Sequence, residues 1–184
     1  MLREAVCPDR QPLSFLSNMT DRIAGNSTVF RRILFICTGN YYRSRYAEAY
    51  FNFRAGSSRI PWAAFSRGLH PEAVTENNEL SVFTLRELQR RRIPLHHTGE
   101  RRVRLSLADL KTADRVIALK RDEHLDMMRS AFPAWADRIE YWAVHDLDQA
   151  RPETALAEIT ELVETLHDEL KNNRPKPANR KLRP

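Results

Sequence analysis

One stretch of fifteen residues, 33–47, limits what this chain can fold into more than any other part of its sequence. Residues 33–36 form a short apolar run rich in β-branched side chains, which is typical of a strand buried on both faces. Gly39 and Asn40 interrupt the run, and helix-compatible sequence resumes at Arg43. The stretch therefore predicts a strand, a tight loop and a helix in direct succession.

Cys37 ends the predicted strand, and Arg43 follows six positions later where the helix is expected to begin. A loop that closes onto a helix N-terminus directs backbone N–H groups and the positive end of the helix dipole at one point, which makes an anion site. A thiol in such a field loses its proton more readily and becomes a nucleophile. Arg43 can hold two oxygens of a tetrahedral oxyanion, and the Ser44 hydroxyl can hydrogen-bond the thiolate.

The spacing from cysteine to arginine is a weak signal by itself, because arginine is abundant in this chain. Its context makes it stronger: a strand-like run precedes Cys37, a glycine stands where the backbone must turn, and a serine follows the arginine. Cys7 is a useful control, since no strand-like run precedes it and Leu13 stands six positions later. The signal is therefore specific to Cys37.

The sequence Cys-Thr-Gly-Asn-Tyr-Tyr-Arg-Ser at residues 37–44 resembles the signature loop of the low-molecular-weight protein tyrosine phosphatases. The likeness extends over about residues 31–170 and includes the strand-like segment 62–66 and an aspartate near the last helix. It implies an α/β fold of three layers, in which helices cover both faces of a four-stranded parallel sheet and the phosphate-binding loop follows the first strand. Alternation of strand-like and helical segments along the chain independently favours a parallel sheet.

The resemblance implies hydrolysis of phosphate monoesters, with phosphotyrosine as the expected substrate, through a cysteinyl-phosphate intermediate on Cys37. Arg43 would stabilise the transferred group, and an aspartic acid would protonate the leaving oxygen. Asp146 follows the last predicted strand, residues 139–144, by two positions, whereas Asp148 stands closer to Pro152. Asp146 is therefore the expected general acid, and Asp148 is the alternative.

Seven further residues are expected to bind or surround the substrate. Most belong to the loop, and one is an aromatic residue at the position where the family commonly has one at the cleft mouth: Thr38, Gly39, Asn40, Tyr41, Tyr42, Ser44 and Trp62. Three positions depart from the family pattern, which commonly has a second cysteine at Tyr42, a proline at Arg45 and a proline at Leu147. The departures leave the choice of substrate open.

Two other functions remain as alternatives. Arsenate reduction on the same fold would need further cysteines for a disulfide relay, and Cys7 is the only other one. A phospho-ligand-binding module without turnover would not need a nucleophile, an arginine and a candidate acid together. The expected partners are a phosphorylated protein or a small aryl phosphate, with phosphate or vanadate as inhibitory oxyanions; no cofactor, metal, membrane or nucleic acid is expected.

The net charge of +6 is not spread over the chain. Residues 171–184 carry six basic residues and no acidic one, which accounts for the whole excess. We therefore predict an N-terminal extension at residues 1–30, a phosphatase domain at residues 31–172 and a basic, disordered tail at residues 173–184. Because the N-terminus lacks a signal-peptide pattern and no apolar stretch is long enough to span a bilayer, we expect a cytoplasmic protein.

Helical spacing predicts which side chains enter the core. In the first helix, Tyr50 and Phe51 are expected to pack on the sheet, whereas Glu48 and Asn52 are expected to face water. Apolar residues recur every three or four positions from Leu156 to Leu170, which predicts an amphipathic last helix that begins at Pro152 and ends near Asn172.

Overall fold

A computed structural model of the chain describes residues 30–144 and 151–173. Strands and helices alternate in it: β1 (Arg31–Cys37), α1 (Arg43–Ser58), β2 (Trp62–Gly68), α2 (Val82–Arg90), α3 (Leu107–Thr112), β3 (Arg115–Ala118), α4 (Arg121–Ala131), α5 (Pro133–Ala136), β4 (Glu140–Tyr141) and α6 (Pro152–Asn172). Short 3₁₀ turns, Pro71–Ala73 and Leu95–His97, lie in two of the connections. The predicted N-terminal extension and basic tail fall almost entirely outside the described residues.

The four strands form one parallel sheet in the order β2-β1-β3-β4. Arg31 is paired with Trp62 at one edge of the sheet, and Cys37 is paired with Gly68 at the other. Because the strands are parallel, their carboxyl ends meet at the edge that holds Cys37, which is where ligands bind in folds of this kind. The predicted fold class is confirmed.

Two apolar cores, one on each face of the sheet, hold the helices in place. Ile33 and Phe35 of β1 point to a core shared with α1, α2 and α6. Leu34 and Ile36 point to the opposite core, which is shared with α3, α4 and α5. Alternate residues of β1 thus enter opposite cores, as the period of a strand requires, and the molecule has three layers.

The last strand is shorter than the sequence predicted. Only Glu140–Tyr141 of residues 139–144 pair with β3 in parallel. The parallel pairing ends there: Ala143 forms an isolated antiparallel bridge with Lys120, and the Val144 N–H donates to the Leu119 carbonyl at 2.9 Å. Val144 is fully buried there, so the segment that precedes Asp146 is anchored at the carboxyl edge of β3.

Helix α1 confirms one part of the predicted helical pattern and contradicts another. Tyr50 and Phe51 are buried in the core, as predicted. Glu48 is also buried, and the Asn52 side chain pairs with the backbone N–H and carbonyl of Ala64 at 2.7 and 3.0 Å. The expectation that Glu48 and Asn52 face water is wrong, because α1 packs along β2 and residues 97–99 cover its remaining side.

Helix α6 begins at Pro152 and ends at Asn172, as predicted. Its apolar side, which includes Leu156, Ile159 and Val163, is buried against α1. Among the helices of the described residues, none combines the length and the apolar character that crossing a membrane requires.

Candidate active site

The loop between β1 and α1 makes a tight turn that two glycines permit. Asn40 takes up a left-handed conformation with φ of 49°, which Asn tolerates better than most residues. A Cβ atom on Gly39 would lie 2.3 Å from Val74 Cγ2, and one on Gly68 would lie 2.8 Å from the backbone nitrogen of Asn40. Both positions therefore need glycine for close packing of the loop against its surroundings.

Cys37 lies at the end of β1 with only 3% of its surface exposed. Its Sγ atom is 3.0 Å from the hydroxyl oxygen of Ser44, which is fully buried in the first turn of α1. The two side chains are in hydrogen-bond contact, in which either the thiol or the hydroxyl can be the donor. The structure thus brings together the cysteine and the serine that the sequence singled out.

Asn40 holds the loop in shape through three hydrogen bonds. Its amide nitrogen donates to the hydroxyls of Ser44 at 3.2 Å and Ser66 at 2.8 Å, and its amide oxygen accepts from the backbone N–H of Val103 at 2.8 Å. These contacts join the loop to β2 and to the segment that precedes α3. Sequence reasoning placed Asn40 among the residues around the substrate and missed both Ser66 and Val103 as its partners.

Arg43 is almost completely buried, and its guanidinium group forms an ion pair with the carboxylate of Glu123. Its Nη1 and Nη2 atoms donate to the two oxygens of Glu123 at 3.0 and 3.2 Å. The Thr38 hydroxyl also donates to Glu123, and the His124 ring lies 3.5 Å from the same carboxylate. Burial alone would raise the pKa of Glu123, but hydrogen bonds from His124 and Arg43 hold it well below its ordinary value, so the carboxylate is ionised.

Glu123 was not predicted as a site residue, although the sequence contains a signal for it. It lies in the first turn of α4, directly after β3, and therefore at the edge of the sheet that also holds Cys37. An acidic residue at a helix N-terminus is common for electrostatic reasons alone, which makes this signal weak without the structure.

A cleft of about 380 Å³ opens over the loop. Tyr41 and Val74 contribute its apolar wall, and Glu76 and Glu123 contribute carboxylates. The guanidinium of Arg102 lies 5.8 Å from the centre of the Tyr41 ring and donates to the carbonyls of Val74 and Glu76 at 3.1 and 3.3 Å. Arg102 thereby joins the segment that contains Val74 and Glu76 to Tyr41.

The remaining predicted loop residues also line this cleft. Besides the residues already described, its lining includes Thr38, Gly39 and Tyr42. Tyr42 is largely buried, packs edge-on against Phe83, and donates through its hydroxyl to the Pro152 carbonyl at 2.8 Å. It therefore connects the loop to the start of α6 in addition to bordering the cleft.

The expectation that Trp62 stands at the cleft mouth is wrong. Trp62 begins β2 and is paired with Arg31, whereas the residue paired with Cys37 is Gly68. Six residues of a strand span about 20 Å, so Trp62 lies at the opposite edge of the sheet. Its side chain stacks under the Arg31 guanidinium, 4.3 Å from the ring centre. The sequence analysis correctly placed Trp62 in the second strand. It wrongly assumed that this end of the strand lies beside the loop.

The expected general acid, Asp146, and the alternative, Asp148, both lie outside the described residues. The described chain comes no closer to them than Val144 and Arg151. Their roles therefore stay predictions.

A group of three possible metal ligands, Glu164, His167 and Asp168, lies on α6, away from the cleft. The Glu164 oxygens are already used, since they accept from the Tyr50 hydroxyl at 2.6 Å and from Arg54 Nη2 at 2.9 Å. A guanidinium beside this carboxylate opposes the binding of a second cation, so the group is better described as part of the contact between α1 and α6.

The sequence profile of the low molecular weight phosphotyrosine protein phosphatases matches residues 32–176, which include the whole loop and cleft described above. The chain belongs to this family. It is accordingly a hydrolase, a cysteine-dependent phosphatase that acts on phosphorylated substrates. No protein of curated function matches the chain.

Solved structures of other proteins resemble this family member in fold. A low molecular weight protein tyrosine phosphatase from T. tengcongensis is 28% identical, with a TM-score of 0.64 over 76% of this chain and 99% of that one. YfkJ from Bacillus subtilis is 23% identical, with a TM-score of 0.68 over 83% and 99% of the two chains. The YwlE arginine phosphatase from Geobacillus stearothermophilus is 25% identical, with a TM-score of 0.61 over 77% and 94%.

Proposed function

We propose that the protein hydrolyses phosphotyrosine or a related aryl phosphate, with Cys37 as nucleophile, Arg43 as the oxyanion-binding residue and Asp146 as general acid. The observation that carries the proposal is the 3.0 Å contact between Cys37 Sγ and the Ser44 hydroxyl, at the base of a cleft that Arg43 also lines. This arrangement supports a sulfur nucleophile within reach of an oxyanion bound in the cleft.

In the first step, the Cys37 thiolate attacks phosphorus while the bond to the leaving oxygen breaks. Asp146 gives its proton to that oxygen, and the products are a free alcohol or phenol and a cysteinyl-phosphate. Loop N–H groups and Arg43 stabilise the charge on the three equatorial oxygens throughout the transfer. The two hydrogen bonds from Arg43 to Glu123, at 3.0 and 3.2 Å, support this role, because they fix the plane of the guanidinium group before substrate binds.

In the second step, water attacks the phosphorus of the intermediate, and the bond to sulfur breaks. The Asp146 carboxylate takes a proton from that water, which returns the aspartic acid and the thiolate to their starting states and releases inorganic phosphate. All protons and electrons are accounted for by the substrate, water and these two residues. The step requires no reductant.

The cleft supports a flat substrate group. Tyr41 and Val74 form an apolar wall. Arg102 lies beside the Tyr41 ring and donates to the Val74 carbonyl, which restricts the movement of this wall. An aryl ring placed there would be held edge-on or stacked on Tyr41, a geometry that aromatic pairs favour.

A parallel assay of four substrates tests the proposal: an aryl phosphate, a phosphotyrosine peptide, a phosphoarginine peptide, and arsenate with added thiols. We expect hydrolysis of the first two, with phosphate released in the absence of added metal or reductant. The phosphoarginine peptide is included because the Geobacillus relative is an arginine phosphatase. A protein that reduces arsenate but releases no phosphate from either aryl substrate would contradict the proposal, and preference for phosphoarginine would correct the substrate.

A further inference from the structure

We propose that Glu76 is a specificity-determining residue of the cleft, and that it favours phosphorylated peptides with a lysine or an arginine next to the phosphorylated residue. The proposal rests on the function proposed above, because it names the class of peptide that the same cleft accepts. It depends on the charges that line the cleft and on the partners that each of them has.

The charged side chains that line the cleft do not make it positive. Among the described residues they are one guanidinium group, that of Arg43, and two carboxylates, those of Glu76 and Glu123. Arg43 and Glu123 neutralise each other as an ion pair at 3.0 Å. The Glu76 carboxylate is therefore an excess negative charge in a cleft that must also bind a phosphate group. A substrate without a cation of its own is repelled by this charge, whereas a substrate with a cation can pair with it.

Glu76 differs from the two neighbouring glutamates of its loop in the partners of its carboxylate. Glu72 forms an ion pair with Arg104. Glu79 accepts from the backbone N–H of Arg102 at 2.8 Å and lies 3.6 Å from Nε of the same residue. The Glu76 side chain is exposed, and within the described part of the chain its carboxylate has no hydrogen bond or ion pair. The carboxylate that lines the cleft is thus available to a ligand.

Arg102 is the arginine beside this wall of the cleft, but its guanidinium group has other acceptors. Nη1 donates to the Val74 carbonyl at 3.1 Å, Nη2 donates to the Glu76 carbonyl at 3.3 Å, and Nε faces Glu79. These contacts hold the backbone of Glu76 at the cleft and leave its side chain unpaired. Arg102 therefore positions Glu76 without forming an ion pair with it.

The charge of Glu76 acts on Tyr41, the aromatic residue of the cleft wall. Burial raises the pKa of Tyr41, the Glu76 charge raises it further, and the Arg102 charge opposes the shift. A substrate ring that packs on Tyr41 would bring the residues on either side of it close to Glu76. Consecutive Cα atoms are about 3.8 Å apart, and the flexible four-carbon stem of a lysine extends its reach further. A basic neighbour of the phosphorylated residue can therefore pair with Glu76.

Phosphate release from three phosphotyrosine peptides tests the proposal. The peptides are identical except for the residues on either side of phosphotyrosine, which are lysine, serine or glutamate. At low ionic strength we expect kcat/KM for the lysine peptide to exceed that for the serine peptide by about two- to fivefold, the range of an exposed charge pair. The glutamate peptide should fall below the serine peptide by a similar factor. The differences should appear in KM and shrink at high salt, because the pair forms on binding and is screened by ions.

Two substitutions at Glu76 and one matched control assign the effect to this residue. Glu76→Gln should abolish the ranking of the three peptides, and Glu76→Lys should reverse it. Glu100→Gln is the control, because Glu100 is also exposed but is not among the described residues that line the cleft. It should keep the ranking of the parent. A parent that ranks the peptides equally, a ranking that survives in Glu76→Gln, or an equal loss in Glu100→Gln would each overturn the proposal.

Peptide binding separates this proposal from that of phosphatase activity. The affinities of the same peptides are measured by fluorescence anisotropy with Cys37→Ser, alone and combined with Glu76→Gln. We expect Cys37→Ser to bind the lysine peptide most tightly and the double variant to bind all three equally. That result supports the role of Glu76 even if the parent releases no phosphate, which would contradict the phosphatase proposal alone. Equal affinities for the three peptides in Cys37→Ser, or binding of none, would overturn the role of Glu76.

Discussion

Both edges of the sheet carry arginine side chains, but these side chains differ in burial and in their partners. At the carboxyl edge, Arg43 and Arg45 are each 1% exposed and are held by fixed acceptors on several sides. At the amino edge, the side chain of Arg31 is 56% exposed and pairs with Asp114, whose side chain is 37% exposed, at 3.4 Å. Exposed pairs of this kind contribute little because water solvates both partners.

The difference shows which arginines indicate a binding role in a chain that is rich in arginine. A buried guanidinium group needs compensating partners, since an uncompensated buried charge strongly destabilises the folded state. At the carboxyl edge those partners also fix its direction, which is what recognition of an oxyanion requires. At the amino edge, Arg31 rests on Trp62 and borders a shallow cleft, and nothing fixes its direction as strictly.

The largest expected effect comes from Cys37→Ser, which would test whether the carboxyl edge is a covalent active site. We expect kcat for an aryl phosphate to fall by about 10⁵- to 10⁶-fold, the scale seen when a nucleophile is removed. Phosphate binding, measured by calorimetry, should persist because the loop amides and Arg43 remain. Cys7→Ser is the control and should keep full activity. Normal hydrolysis by Cys37→Ser would exclude the covalent route.

The next largest effect should separate Asp146 from Asp148. General acids contribute about a hundredfold to ten-thousandfold, so Asp146→Asn should lower kcat on that scale for a poor leaving group and much less for a good one. Steady-state kinetics with aryl phosphates of graded leaving-group pKa measure this. If Asp148→Asn shows the leaving-group dependence while Asp146→Asn behaves like the parent, the two roles are exchanged.

Exchanging arginine for lysine at both edges tests the comparison itself. Arg43→Lys keeps the charge but loses the planar fork and its two contacts to Glu123, so kcat/KM should fall by about 10²- to 10³-fold. Arg31→Lys keeps the positive charge at a solvent-exposed position, so its kcat/KM should equal that of the parent. Equal losses in the two variants would mean that burial and fixed direction do not distinguish the edges.

The smallest effect concerns stability and its pH dependence. Glu123→Gln should lower the free energy of unfolding at neutral pH by about 1–3 kcal/mol, since it removes the partner of a buried guanidinium. Asp114→Asn at the amino edge should cost less than about 1 kcal/mol. Chemical denaturation at a series of pH values measures both.

The sign of the pH dependence follows from the lowered pKa of Glu123. The unfolded chain protonates this carboxyl group near its ordinary value of 4.5, whereas the folded chain does so at lower pH. The contribution of Glu123 is therefore present above pH 4.5 and is lost as the pH falls toward the folded value. The parent and Glu123→Gln should thus converge in stability under acidic conditions, and a difference that grew there would contradict the assigned ion pair.

Much of the active site could be predicted because its main elements are local. Cys37, Asn40, Arg43 and Ser44 lie within eight consecutive residues, and a strand, a tight turn and a helix N-terminus follow from their immediate sequence. The amphipathic pattern of α6 was equally local, and its bounds agree with the structure. Such features depend on backbone conformation and on neighbours three or four residues away, which a sequence displays directly.

The sequence by itself thus determined the loop, the order of the elements and the parallel sheet. Only the tertiary structure decided that Glu48 is buried, that Glu123 holds Arg43, and that Trp62 lies at the far edge. The helical period marks Glu48 as polar but does not reveal that β2 and residues 98–99 cover it. Contacts of this kind join residues many positions apart, and they depend on strand pairing and helix packing, which no short stretch of sequence encodes.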